Sequence, residues 1–162
     1  MNTPTPPFVQ IDGARIRYRD SGGSGPAVLM THGIGESLEF WHRQMETLGA
    51  SLRLIAWDLP GHGLSDERAD AMDLEGQAAV AWKLMDQLGV ERVHLVGNSL
   101  GAAMSLRMAD QQPARVDSLV LANSAALGPE VFGAFKLPAR GGPDQPQIKP
   151  DQPSEQRLGC RM

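Results

Sequence analysis

A serine between two glycines, in Gly97-Asn98-Ser99-Leu100-Gly101, is the residue of this sequence best placed for covalent chemistry. The five residues fit G-x-S-x-G, with the apolar run VHLV before them and the amphipathic stretch LGAAMSLRMA after. A sharp bend from strand into helix would hold Ser99 strained at the end of a sheet, its hydroxyl turned to a cleft at a helix N-terminus. Gly97 and Gly101 would let the backbone approach itself closely. The free N–H of Leu100 could then donate to a developing oxyanion. Asn98 is expected to shape the turn or the site wall without a catalytic role. The competing reading is that Ser99 only caps a helix.

Two further loops carry residues of interest. Thr31-His32-Gly33-Ile34-Gly35 follows the apolar run AVLMT, and its glycines let the chain turn back over a strand end. The N–H of Ile34 could be a second oxyanion donor opposite Leu100, provided the two strands are neighbours. His32 reads as a structural loop imidazole bonding backbone carbonyls. Asp58-Leu59-Pro60-Gly61-His62-Gly63-Leu64-Ser65-Asp66 follows LRLIAW. Asp58 ends that strand and is expected to accept backbone donors in the loop. A metal held by Asp58, His62 and Asp66 matches no zinc or calcium spacing. Neither G-x-x-x-x-G-K-[ST] nor G-x-G-x-x-G occurs, which argues against nucleotide binding. No metal and no cofactor is expected.

The partners of a serine nucleophile are harder to find. The four histidines, His32, His42, His62 and His94, all precede Ser99. The acids after it are Asp110, Asp117, Glu130, Asp144, Asp151 and Glu155. Asp110 falls on a helix and Asp117 at the start of a strand, the wrong end for a site at strand C-termini. Asn123 and Ser124 stand at the C-terminal end of that strand, with no acid there. His62 is the local candidate for a substitute base. Without a base the serine hydroxyl stays protonated and is a weak nucleophile.

The elements that must position these loops read clearly. Residues 8–11 and 14–19 flank Asp12-Gly13 as a hairpin at a sheet edge. Ile16 and Tyr18 share one face, and Arg15, Arg17 and Arg19 the other. Residues 27–31, 52–57, 93–96 and 116–122 are short apolar strands, expected to be buried on both faces. Helices fall near 38–48, 74–88 and 100–111, and Leu74, Ala78, Ala81, Met85 and Leu88 make one apolar stripe. The alternation predicts an α/β fold, a mostly parallel doubly wound sheet with an antiparallel N-terminal hairpin. Strand 116–122 would be an exposed apolar edge, a route to self-association. Residues 1–7 read as a flexible start and 8–127 as the core. From 128 to 162 the chain holds six of its 12 prolines and reads as disordered or as the start of a lost cap region.

Composition narrows the class. The chain has 162 residues, 41% hydrophobic and 21% charged, with a net charge of -4. That suits one domain without a basic surface, so nucleic acid is not an expected partner. The single cysteine, Cys160, cannot form an internal disulfide. No signal peptide and no membrane-spanning run is apparent, and the expected location is cytoplasmic.

HGIG after the third strand, DLPGHGLSD after the fourth and GNSLG after the fifth together resemble the α/β-hydrolase superfamily, over about residues 8–127. The wording is most similar to small bacterial enol-lactonases, ring-cleavage-product hydrolases, esterases and cofactor-free haloperoxidases. The resemblance implies Ser99 as nucleophile, with Ile34 and Leu100 supplying oxyanion N–H groups. His32, Gly33, Asp58, Gly97, Asn98 and Gly101 would be structural near the site. It implies hydrolysis of carboxylic esters, lactones or C–C bonds of small molecules, impaired here because the acid and histidine expected after Ser99 are missing. The alternative is a non-catalytic fragment or binding module that keeps the sheet. About six of about eight strands are legible, so the sequence reads as the N-terminal part of a longer enzyme, with its last segment even a frame-shifted reading.

Overall fold

A computed structural model describes residues 7–71 and 73–124. The expectations for residues 1–6 and 128–162, including Glu130, Asp144, Asp151, Glu155 and Cys160, fall outside the described residues, as do residues 125–127 of the expected core.

The strands are β1 (Phe8–Ile11), β2 (Ala14–Asp20), β3 (Ala27–Thr31), β4 (Arg53–Trp57), β5 (Val93–Asn98) and β6 (Val116–Ala122). The helices are α1 (His42–Leu48), α2 (Leu74–Gln87) and α3 (Leu100–Gln111). β1 and β2 form the hairpin, turning through Asp12 at φ 48° and Gly13 at φ 86°. Two consecutive positive φ angles match the twist of a two-residue hairpin, which is why Asp-Gly serves there. Asp73 begins α2, its carboxylate accepting the Gly76 N–H at 2.8 Å.

The described sheet has six strands in the order β1-β2-β4-β3-β5-β6. β2 pairs antiparallel with β4, while β4, β3, β5 and β6 run parallel. From β3 the chain goes to β4 on one side, then returns across β3 to β5 on the other. This reversal opens a crevice at the C-terminal ends of β3 and β5, where ligands of doubly wound sheets lie.

Strand alternation sorts the core onto two faces. Leu29, Ile55 and Leu95 join Ala78, Ala81 and Met85 of α2 and Met104 and Met108 of α3. On the other face Val28, Met30, Leu54 and Ala56 pack with Leu38, Trp41 and Met45. Each large side chain so buried contributes about 1.5–3 kcal/mol. The apolar stripe of α2 therefore lies as its spacing implies, with Leu74 and Leu88 half-buried at its ends.

Two expectations are corrected. Arg17 does not share an outward polar face with Arg15 and Arg19. It is buried, because the loop after β4 folds over β2 and brings Asp58 against it. And β6 is not buried on both faces: it lies at the sheet edge, none of its residues is fully buried, and Val120 is 53% exposed. The described helices pack on one side of β6 only, through α3.

Candidate active site

β5 runs straight into α3 through Ser99, whose φ of 52° and ψ of -112° are sparsely populated for a residue with a Cβ. The bend is over-determined. The Ser99 N–H donates to the Ala122 carbonyl at 2.9 Å, and the Ser99 carbonyl accepts the Ala102 and Ala103 N–H groups. A Cβ on Gly97 would sit 2.5 Å from the Ala102 nitrogen, and one on Gly101 would sit 2.6 Å from the His32 carbonyl oxygen. Only glycine lets α3 rest this closely on β5 and on the end of β3. Ser99 stands at the N-cap position of α3, yet its side chain makes no capping hydrogen bond. The helix-cap reading therefore does not describe this serine.

The loop after β3 lies against this bend. A Cβ on Gly33 would be 3.3 Å from the Ser99 Cβ, so Gly33 lies close against the Ser99 side chain. Gly33-Ile34-Gly35-Glu36 is a tight turn, with the Glu36 N–H on the Gly33 carbonyl at 3.3 Å and Gly35 at φ 72°. His32 Nδ1 lies 2.7 Å from the same carbonyl, and His32 Nε2 accepts the Leu59 N–H at 3.1 Å. Nε2 being the acceptor, Nδ1 carries the proton and donates it to Gly33. The imidazole is neutral, and burial holds its pKa below the ordinary 6.5. His32 thus bonds one carbonyl and one amide, where carbonyls alone were expected. This fixes more than a ring. In a trans peptide the C=O and N–H point to opposite sides. Pinning the Gly33 carbonyl therefore aims the Ile34 N–H the other way.

Neither Ile34 nor Leu100 donates its N–H to any acceptor among the described residues. Leu100 opens α3, where an N–H has no partner within the helix. Two unsatisfied donors thus belong to the residues flanking the close-lying pair Gly33 and Ser99. A fixed pair of this kind can hold a carbonyl oxygen as it gains negative charge.

Asp58 is fully buried at the end of β4. Its carboxylate accepts the Leu38 N–H at 2.7 Å and the Leu64 N–H at 2.8 Å, and pairs with Arg17 at 3.1 Å. Arg17 also grips Glu39. Gly63, at φ 54°, has no room for a Cβ, which would be 2.7 Å from Asp58 Oδ1. Asp66 is tied to Arg15, and Ser65 Oγ donates to the Asp58 carbonyl at 2.8 Å. Asp58 and Asp66 are thus held by cations and amides, and the described residues contain no group of three or more His, Cys, Asp or Glu that could hold a metal ion.

His62 is half-buried, its ring centroid 5.5 Å from that of His32 and its Nδ1 3.2 Å from the Pro60 carbonyl. No hydrogen bond joins it to Ser99. Asp117 pairs with Arg92 at the opposite end of the sheet, and Asp110 is an exposed helix residue near Arg107. Asn123, at φ 46°, donates to Asn98 Oδ1 at 3.4 Å.

Glu36 escaped the sequence reading. Its Oε2 accepts the Gly33 N–H at 2.6 Å and the Asn98 Nδ2 at 3.3 Å. The signal was there: an acid three residues after a turn-opening glycine can close the turn reciprocally, as in a capping box. Arg17 offered no comparable signal.

Comparisons agree with this fold. The family described as alpha/beta hydrolase fold matches residues 26–151. A protein of Cupriavidus necator, named as the dihydrolipoyllysine-residue acetyltransferase component of an acetoin cleaving system, is 32% identical over 143 residues, 88% of this chain and 38% of that protein. A 2-hydroxy-6-oxo-6-phenylhexa-2,4-dienoate hydrolase of Comamonas testosteroni is 37% identical over 129 residues, 75% of this chain and 44% of that one. A solved structure of an N-acyl homoserine lactonase complexed with N-butanoyl homoserine superposes with a TM-score of 0.66 at 32% identity, covering 73% of this chain and 44% of that chain. The chain spans less than half the length of these relatives. No helix among the described residues is long and apolar enough to cross a membrane.

Proposed function

The chain belongs to the alpha/beta hydrolase fold family, and we propose that within it Ser99 is the nucleophile of a hydrolase acting on carboxylic esters, lactones or C–C bonds of small molecules. The observation that carries this is the backbone of Ser99, forced to φ 52° at the β5–α3 bend with its hydroxyl making no capping hydrogen bond to α3. A merely structural serine gains nothing from such strain. Ser99 Oγ would add to the substrate carbonyl carbon while the carbonyl electron pair moves onto oxygen. The N–H groups of Ile34 and Leu100 would hold that oxyanion. Its collapse expels the leaving group, which takes up a proton, and water then releases the acyl group from Ser99. The named substrates of the hydrolase and lactonase relatives fit this class.

The hydroxyl proton is the weak point. No histidine follows Ser99 in the sequence, so the usual chain order of nucleophile, acid and histidine is not met. His62 is the substitute we assign: with Nδ1 donating to Pro60, its Nε2 is left to accept a proton. Donors and binding alone leave about 10³–10⁴-fold over water in such sites, a floor that a base at His62 would raise. A fluorophosphonate probe tests the reading directly. Labelling of the wild type that disappears in Ser99→Ala is the expected result; folded wild type that takes no label refutes it. The alternative is a binding module that keeps the sheet without turnover. That alternative predicts ligand binding unchanged by Ser99→Ala.

A further inference from the structure

We propose that Glu36 is a positioning residue of this site, its carboxylate acting as the clasp that joins the oxyanion loop to the nucleophile bend. The inference rests on the hydrolase reading for its purpose, though not for its geometry. One carboxylate oxygen, Oε2, takes both the Gly33 N–H at 2.6 Å and the Asn98 side-chain amide at 3.3 Å. Gly33 precedes the donor Ile34, and Asn98 precedes Ser99, so a single atom spans the two halves of the site. No covalent or helical connection does this: the residues come from the loop after β3 and the end of β5, 62 positions apart.

Glu36 completes the immobilisation of Gly33. Its N–H goes to the carboxylate, and its carbonyl takes the His32 Nδ1–H and the Glu36 N–H. With both peptide groups of Gly33 pinned, the Ile34 N–H has one direction. Room for the clasp exists only because residue 33 has no side chain. A Cβ there would lie 3.0 Å from Glu36 Oε2, 3.3 Å from Asn98 Nδ2 and 3.3 Å from the Ser99 Cβ. The line continues to Asn123, whose amide donates to Asn98 Oδ1 at 3.4 Å and so leaves Asn98 Nδ2 facing Glu36. Asn98 is therefore part of the same clasp.

What the clasp requires is an oxygen acceptor, and a full negative charge is not needed. Glu36→Gln keeps an acceptor at this position and Glu36→Ala removes it. Amide NMR and hydrogen exchange on the unliganded protein read the clasp without any reaction. In Glu36→Ala the Gly33 amide and the Asn98 side-chain amide shift, and Gly33 exchanges about ten-fold faster or more. Core amides such as Leu29 and Ile55 keep wild-type protection, a pattern that general destabilisation would not give. Glu36→Gln restores Gly33 protection to within about three-fold of wild type. Fluorophosphonate labelling of Ser99 follows the same order: wild type and Glu36→Gln close together, Glu36→Ala slower by about ten-fold. An unchanged Gly33 amide in Glu36→Ala overturns the proposal. So does labelling in Glu36→Gln as slow as in Glu36→Ala, which would make the carboxylate a base. If the amides respond as stated but wild type takes no label, the clasp stands and the hydrolase reading falls.

Discussion

Replacing Ser99 by glycine should make this protein more stable while removing the proposed nucleophile. Ser99 sits at φ 52° and ψ -112°, outside the regions open to residues with a Cβ. Such a conformation costs about 1–3 kcal/mol. Glycine adopts it freely but loses about 0.5–1 kcal/mol more backbone entropy on folding than alanine does. The hydroxyl makes no capping hydrogen bond to α3, so its removal forfeits none of that kind. The balance is a gain of up to about 2.5 kcal/mol for Ser99→Gly. Alanine retains the Cβ and therefore the strain, so Ser99→Ala should stay within about 0.5 kcal/mol of wild type. Urea unfolding of the three proteins measures this, with unchanged m-values showing that only stability moved. Ser99→Gly no more stable than Ser99→Ala would refute the claim that the bend stores strain at this residue. The functional argument built on that strain would go with it.

Other expectations follow from neighbouring geometry. Gly101→Ala pushes a methyl into the Thr31 and His32 carbonyls, backbone atoms that cannot yield, and should cost more than about 3 kcal/mol. Gly35→Ala meets nothing within 4 Å and bears only the price of a positive φ, about 1 kcal/mol; equal urea midpoints for the two variants would contradict this contrast. Arg17→Met strands the Asp58 carboxylate in the core, a loss of about 3–5 kcal/mol. Glu39→Gln should cost under about 1 kcal/mol by the same measurement, since the Glu39 side chain is itself 57% exposed. His32 supplies a pH dependence. Its folded pKa lies below 6.5, so the unfolded chain binds a proton first as pH falls. Stability from this group is full above 6.5 and is lost as pH drops from there toward the folded value. Denaturant midpoints between pH 7.5 and 5.5 should show that slope in wild type, and His32→Gln should flatten it.

Much of this was legible from the chain alone. The strand and helix alternation, the Asp12-Gly13 hairpin and the apolar stripe of α2 are local patterns with fixed periods, and they fold as they read. So does the bend at Ser99, because two glycines at fixed spacing between a strand and a helix permit little else. The role of Asp58 as an acceptor of loop amides was also readable, from its place at a strand end. Tertiary structure alone decided the rest. A period of two marks alternate faces of a strand without saying which neighbour covers them, so Arg17 looked outward until the loop after β4 closed over it with Asp58. Strand 116–122 has the composition of a strand buried on both faces yet also read as an exposed edge, and strand order decided for the edge: among the described residues it pairs with β5 alone and leaves Val120 exposed. The turn that Glu36 closes with Gly33 follows from local spacing, but its bond to Asn98, 62 residues away, is one that no local spacing encodes. The approach of the loop after β3 to the bend at Ser99 came from strand order: β3 and β5 are neighbours because the chain reverses direction at β3.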